Sequence, residues 1–211
     1  MGAERQPRIA AVAGSPRRGG NTDQLLAAAA QGALEEGALV EWVRPNEMTF
    51  VACQHCGGCA KTGVCVIDDD MQSVYPLIER LDGMLLASPV YFASVTAQLK
   101  ALIDRTQALW VRKYVLNQPL SADGKTRQVL FLSALGGHAK GHVECTRRVI
   151  KAFADTFDGQ YEELIFPLID QPGAIADHWT ALPQAHAVGA GLAVKVRRLI
   201  AEQQEQQAQQ E

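Results

Sequence analysis

The sequence predicts a three-layer α/β fold: a five-stranded parallel sheet with helices on both faces. Short, strongly apolar runs alternate with helical patterns five times along the chain, the rhythm of strands joined by right-handed crossovers. The strand runs are continuously apolar rather than alternating, as strands buried on both faces are. The length, 211 residues with 47% hydrophobic content, suits one well-cored domain and is too short for two of ordinary size.

The strands are expected at Ile9 to Ala13, Met84 to Ala87, Val129 to Leu132 and Leu164 to Phe166, with a weaker one around Leu39 to Val43. The first helix starts where Asn21 and Thr22 offer capping groups, carries Leu25, Leu26, Ala29, Ala33 and Leu34 at helical spacing, and stops at Gly37. A second runs from about Asp69 to Arg80. There Asp68, Asp69 and Asp70 complement the positive end of the helix dipole, a simpler role than metal binding. The third places Leu99, Leu102, Ile103 and Leu109 on one side and leaves Lys100, Asp104 and Arg105 to solvent. The fourth spans roughly Gly141 to Phe157, with Cys145 as a packed thiol, and the fifth roughly His178 to Glu202. The connection from Trp110 to Thr126 is long for a helix-to-strand link and suits a subunit contact or a cover over a site. Residues 1–202 are thus expected as a single domain, with a cysteine-rich loop at 53–65, and 203–211 as a polar tail that continues the last helix briefly and frays.

After the first strand comes Gly14-Ser15-Pro16-Arg17-Arg18-Gly19-Gly20-Asn21-Thr22, leading straight into a helix. Unpaired amides and the helix dipole converge at such a start, and Ser15, Arg17, Asn21 and Thr22 add donors, so the turn is suited to a phosphate. A Walker turn would require Lys and then Ser or Thr where Gly20 and Asn21 stand, and no G-x-G-x-x-G follows a strand. ATPases and dinucleotide-binding Rossmann enzymes are therefore disfavoured.

Cys53, Cys56, Cys59 and Cys65 are four of the chain's five cysteines, and Gly57, Gly58 and Gly63 let the loop fold tightly between them. Their C-x2-C-x2-C run resembles ferredoxin spacing, whereas structural zinc usually pairs two arms across a longer stretch. An iron-sulfur cluster therefore ranks ahead of zinc, with four metal-free thiols as the remaining alternative. A structural disulfide is not expected, because the polar opening Met1-Gly2-Ala3-Glu4-Arg5 has no apolar core of a secretion signal. A cytoplasmic protein is expected. The formal net charge of −3 gives no attraction to nucleic acid or anionic lipid, and no apolar run approaches the roughly 20 residues of a membrane span.

Gly14-Ser-Pro-Arg with Gly20-Asn-Thr, the cysteine loop closing in Val66-Ile-Asp-Asp-Asp-Met71, and Ser88-Pro-Val-Tyr-Phe92 followed by Gln98-Leu-Lys-Ala-Leu-Ile-Asp-Arg105 resemble the NADPH-dependent FMN reductase family of flavodoxin-like proteins. The match runs in order over most of residues 8 to 166, and the cysteine loop is similar to that of the iron-sulfur flavoproteins within the family. The resemblance implies a flavodoxin-like sheet binding FMN, a [4Fe-4S] cluster on the four cysteines, and a homodimer or homotetramer in which flavin and cluster meet across subunits. Pro89, Val90, Tyr91 and Phe92 are then expected along the isoalloxazine ring. Ser133, Gly136 and Gly137 belong to a third loop, ending at His138, that lets backbone approach it closely; the alternative is a plain turn with His138 in solvent. NAD(P)H or a reduced carrier would supply electrons to a small-molecule or protein acceptor. No side-chain acid or base is obligatory, so no catalytic residue is assigned. A cluster-free flavin or quinone reductase and a non-enzymatic electron carrier are the competing readings.

Overall fold

Five parallel strands lie in the order β2-β1-β3-β4-β5: β1 Arg8–Ala13, β2 Leu39–Val43, β3 Gly83–Ala87, β4 Arg127–Ala134 and β5 Gly159–Phe166. The computed structural model describes residues 5–209, apart from the side chains of Ala139 and Lys140. The polar opening Met1 to Glu4 and the end of the tail, Gln210 and Glu211, lie outside the described residues. This strand order is the flavodoxin-like arrangement expected from the resemblance.

The helices are α1 Asn21–Glu35, α2 Met71–Arg80, α3 Ala97–Arg105, α4 Gln107–Trp110, α5 Ala139–Asp155 and α6 Ala181–Ala208. Two apolar cores form, one on each face of the sheet. Ile9, Ala11, Leu85 and Leu130 point to the face covered by α1 and α6, while Val12, Leu86 and Phe131 point to the face covered by α2, α3 and α5. Alternate residues of each central strand thus feed opposite cores, which is why those strands read as unbroken apolar runs. Close approach of α1 and α6 depends on small residues: a Cβ on Gly189 would sit 2.0 Å from the Ala29 carbonyl oxygen.

All five expected strands are present, but β5 begins five residues before Leu164. As an edge strand it alternates exposed and half-buried positions, with Gln160 and Glu162 outward, so only its apolar end stands out as a run. The last helix starts three residues after His178, because His178–Thr180 form a turn, and extends six residues past Glu202 to Ala208. The third expected helix breaks at Thr106, whose hydroxyl donates to the Ile103 carbonyl at 2.6 Å. Beyond α4, Val111–Val115 form one π-helical turn and Leu120–Asp123 a 3-10 turn. Cys145 is exposed on α5 rather than packed.

Candidate functional site

The carboxyl ends of β1 and β3 mark the point where chain connections leave toward opposite sides, the place where open parallel sheets bind ligands. Gly14 closes β1 by donating its amide to Ala87 O at 2.7 Å, and Thr96 Oγ1 donates to Gly14 O at 2.5 Å. The turn beyond it is organised by Ser15, whose Oγ accepts from the Arg17 amide at 3.1 Å. Gly20, not Asn21 or Thr22, is the N-cap of α1, and no side chain caps it. The first-turn amides therefore lack the side-chain acceptor that a cap supplies and are available to an anion.

Asn21 is committed elsewhere. Its Nδ2 donates to Gln171 O at 2.9 Å and its Oδ1 accepts from the Ile175 amide at 3.3 Å. The same side chain that the sequence offers as a phosphate donor thus straps the segment after β5 onto the start of α1. That segment also pairs with the third loop, Leu135 O accepting from the Ile169 amide at 2.9 Å.

A cavity of about 180 Å³ results, lined by Ser15, Arg17, Asn21, Thr22, Pro89, Val90, Tyr91 and Gly136 among the expected residues. Gly20, Ala134, Leu135, Ile169 and Asp170 also line it; the last two follow β5 without any motif to announce them. Ser133, Gly137 and Phe92 stand outside this lining. Ser133 is fully buried within β4, and its hydroxyl donates to Ser88 O at 2.8 Å, so it braces the second loop from beneath. Phe92 is wholly exposed at the tip of a tight turn in which Tyr91 and Ser94 exchange backbone hydrogen bonds at 2.9 and 3.0 Å. Phe92 and Ala93 both hold positive φ, 49° and 59°, a geometry that costs about 1–3 kcal/mol per residue without glycine. His138 is exposed.

The cysteine loop leaves the same edge of the sheet. Residues 44–70 contain one three-residue helical turn, Pro45–Glu47, and otherwise no regular structure. Its lead-in is tied to the phosphate turn by Arg18 and Glu47, 2.5 Å apart. Cys53, Cys56, Cys59 and Cys65 line one cavity of about 140 Å³, closed by Ala108 of α4 and by Val111. The connection after α4 gives this cavity Val111 as a wall, and next to it Arg112 packs so closely on Gly63 of the cysteine loop that a Cβ there would meet its Cγ at 2.0 Å; Gly63 holds φ of +67°. All four thiols are free.

Among the described residues, no three His, Cys, Asp or Glu side chains converge closely enough to hold a metal ion. Single-ion zinc requires sulfurs about 3.8 Å apart, from Zn–S bonds of ~2.3 Å in a tetrahedron. Four thiols around a common cavity supply an all-sulfur donor set, which is that of iron-sulfur clusters. The residues fit such a group.

Burial pushes the Cys59 thiol up, reinforced by the other three cysteines. Burial also opposes charge on Cys65, but the Ile67 amide, the Tyr75 hydroxyl and the Arg105 guanidinium outweigh it and hold that thiol below its ordinary value. Arg105 is the residue that sequence reasoning misplaced. Expected in solvent, its side chain is 1% exposed and grips Asp69 at 2.6 and 2.9 Å. It also donates to Val51 O at 2.8 Å and Ile67 O at 3.4 Å, one on each side of the cysteines. Asp69 is accordingly more than a dipole partner. Hydrogen bonds from Arg105 hold its carboxyl below the usual carboxylate range, with help from the Val51 and Met71 amides.

A larger cavity, about 430 Å³, lies between α3 and α5 and shares Cys53 and His55 with the cysteine-lined one.

A family model described as NADPH-dependent FMN reductase matches residues 7–161. An iron-sulfur flavoprotein of Methanosarcina thermophila is 36% identical over 115 residues, covering 54% of this chain and 60% of that protein. One from Methanocaldococcus jannaschii is 31% identical over 147 residues, covering 69% of this chain and 70% of that protein. The chain spans about half the length of several of the curated relatives it matches. Among solved structures, an NAD(P)H:quinone oxidoreductase from Methanothermobacter marburgensis superposes with a TM-score of 0.71 at 18% identity, over 89% of this chain and 96% of the other. A flavone reductase gives 0.68 at 19% identity, over 90% and 63%. At these identities the structural likeness speaks for the fold alone.

Proposed function

Because the chain belongs to the NADPH-dependent FMN reductase family, with the iron-sulfur flavoproteins among its relatives, we propose that it is an FMN-dependent oxidoreductase. In this reading it moves electrons between NAD(P)H or a reduced carrier and an acceptor through FMN and a [4Fe-4S] cluster. FMN exchanges two electrons as hydride or one at a time, and the cluster exchanges single electrons, so together they convert between the two currencies.

The single observation behind the proposal is the pairing of an uncapped helix start at the sheet's switch point with a four-thiol cavity on the same edge. The α1 amides and Arg17 receive the phosphate, and Ser15 holds the turn in shape through the Arg17 amide. The cavity beside them is smaller than the ~300–1,000 Å³ of enclosed ligand pockets, so it takes the phosphate and sugar-alcohol chain. The ring then lies outward along Pro89, Val90 and the half-exposed Tyr91. Cys53, Cys56, Cys59 and Cys65 hold the cluster, with Tyr75 and Arg105 bearing on Cys65. No residue need give or take a proton, and the protein's work is to position and to shield. Exposed Val51, Val64 and Val66 on the cysteine loop and exposed Phe92 beside the ring site suit a homo-oligomer that brings the two centres together. No described helix is long and apolar enough to cross a membrane.

Anaerobic purification of the full chain tests this. Yellow flavin bands over a broad brown absorbance, iron and labile sulfide in equal amounts, and rapid bleaching by NAD(P)H are expected. A colourless protein that takes up no added FMN would overturn the proposal. Flavin without iron would leave a cluster-free reductase, and flavin with iron but no response to NAD(P)H an electron carrier.

A further inference from the structure

Arg105 has five N–H bonds, and its two terminal nitrogens are spent on Val51, Ile67 and Asp69. Its Nε is different: buried, with no hydrogen-bond partner among the described residues. An orphaned buried donor on a cation is rare and costly. Arg105 lines the cavity shared by the four cysteines, and its residue neighbours hold it there firmly: Tyr75 Oη donates to the Arg105 carbonyl at 2.9 Å, and the Asp69 carboxylate fixes the plane of the guanidinium. Asp69 itself accepts from the Val51 and Met71 amides, so the whole clasp is preorganised before anything enters the cavity.

Resting on the reading of this cavity as a cluster site, we propose that Arg105 Nε–H is a built-in hydrogen-bond donor to a sulfur of the bound cluster, and that it sets the cluster's reduction potential. Arg105 is a positioning residue for the loop through its terminal nitrogens and a tuning residue through Nε. Reduction by one electron adds one negative charge to the cluster, and a buried N–H aimed at sulfur stabilises the reduced form more than the oxidised one. Lysine at this position keeps the charge and loses both Nε and the planar fork that binds Asp69, Val51 and Ile67.

The test uses the full chain loaded with iron and sulfide under anaerobic conditions, reduced stepwise with dithionite as the electron source. Arg105→Lys should still bind iron, but its reduction equilibrium should become about tenfold less favourable, which for one electron is 59 mV more negative. Asp69→Asn keeps Nε and removes a negative charge beside the guanidinium, so its potential should stay at or above that of the parent. An unchanged potential in Arg105→Lys with the cluster intact overturns the inference, as does an equal shift in both variants, which would mark a merely structural effect. Should Arg105→Lys fail to fold, the parent protein with 15N-labelled arginine decides. In the reduced, paramagnetic state one exchangeable proton and one arginine nitrogen should show magnetic coupling to the cluster, and absence of that coupling overturns the inference. Failure of the parent to take up iron and sulfide is a separate outcome, which removes the cluster reading itself.

Discussion

The phosphate turn and the cysteine loop leave the same edge of one sheet, yet they are held in opposite ways. The turn is positioned by regular backbone: β1 delivers it, α1 receives it, and the groups proposed to face a phosphate are chiefly main-chain amides left uncapped at the helix start. The cysteine loop has no ladder or long helix inside it, and side chains from distant elements stand in for one, chiefly Arg105 with Asp69 and Gln72, which donates to Cys65 O and Ile67 O at 3.0 and 2.7 Å. A site carried by backbone spreads its support over many bonds. A site carried by one buried ion pair concentrates it, and truncating either partner strands a charge.

The largest consequence is expected at Arg105. Replacement by Ala should destabilise the protein by about 3–5 kcal/mol, since it leaves Asp69 unpaired and frees both ends of the loop. Urea denaturation measures this, and a loss under about 1 kcal/mol would show that the loop has support elsewhere. In whatever fraction folds, FMN affinity should change little, because no bond of the phosphate turn involves Arg105. A smaller effect comes from acid. The carboxyl of Asp69 is held below the usual carboxylate range by Arg105, so its stabilisation is complete above the unfolded value near 3.9 and fades as pH falls through the lower folded value. Asp69→Asn should therefore cost about 2 kcal/mol at neutral pH, and the gap in urea midpoint between variant and parent should hold down to pH ~5 and close below pH ~4. A gap that stays constant through that range would mean that Asp69 is not the titrating partner.

The same contrast explains what the sequence could and could not disclose. The strand, turn and helix start around Gly14 to Thr22 are contiguous, so their chemistry is local and legible, and the cysteine spacing is legible for the same reason. Arg105 and Asp69 lie 36 residues apart, and helical periodicity assigned Arg105 to the polar side of α3 beside Lys100 and Asp104. Those two do pair in solvent, but Arg105 turns inward because an irregular loop with acidic residues covers that end of the helix. Ser133 was placed by an apolar run ending at Leu132, whereas β4 continues to Ala134 and buries it. Ile169 and Asp170 reach the cavity because Leu135 and Gly137 pair with their segment and Asn21 ties it down, the last a contact between residues 150 apart in the chain.

Asn21 gives the sharper test of how backbone-borne the phosphate turn is. Asn21→Ala should weaken FMN by about 1–2 kcal/mol, five- to thirtyfold, through release of the 168–175 segment rather than loss of a phosphate donor. The two routes differ in what they spare: if the strap is the cause, hydrogen exchange at Ile175 should accelerate in the FMN-free variant, before any ligand is present. Ser15→Ala should matter less. Its hydroxyl serves the Arg17 amide within an exposed turn, so flavin titration should show a loss of only about 0.5 kcal/mol, roughly twofold. A loss of tenfold or more would mean that the hydroxyl grips the phosphate directly. The turn would then resemble the cysteine loop in resting on individual side chains, and the distinction between the two regions would fail.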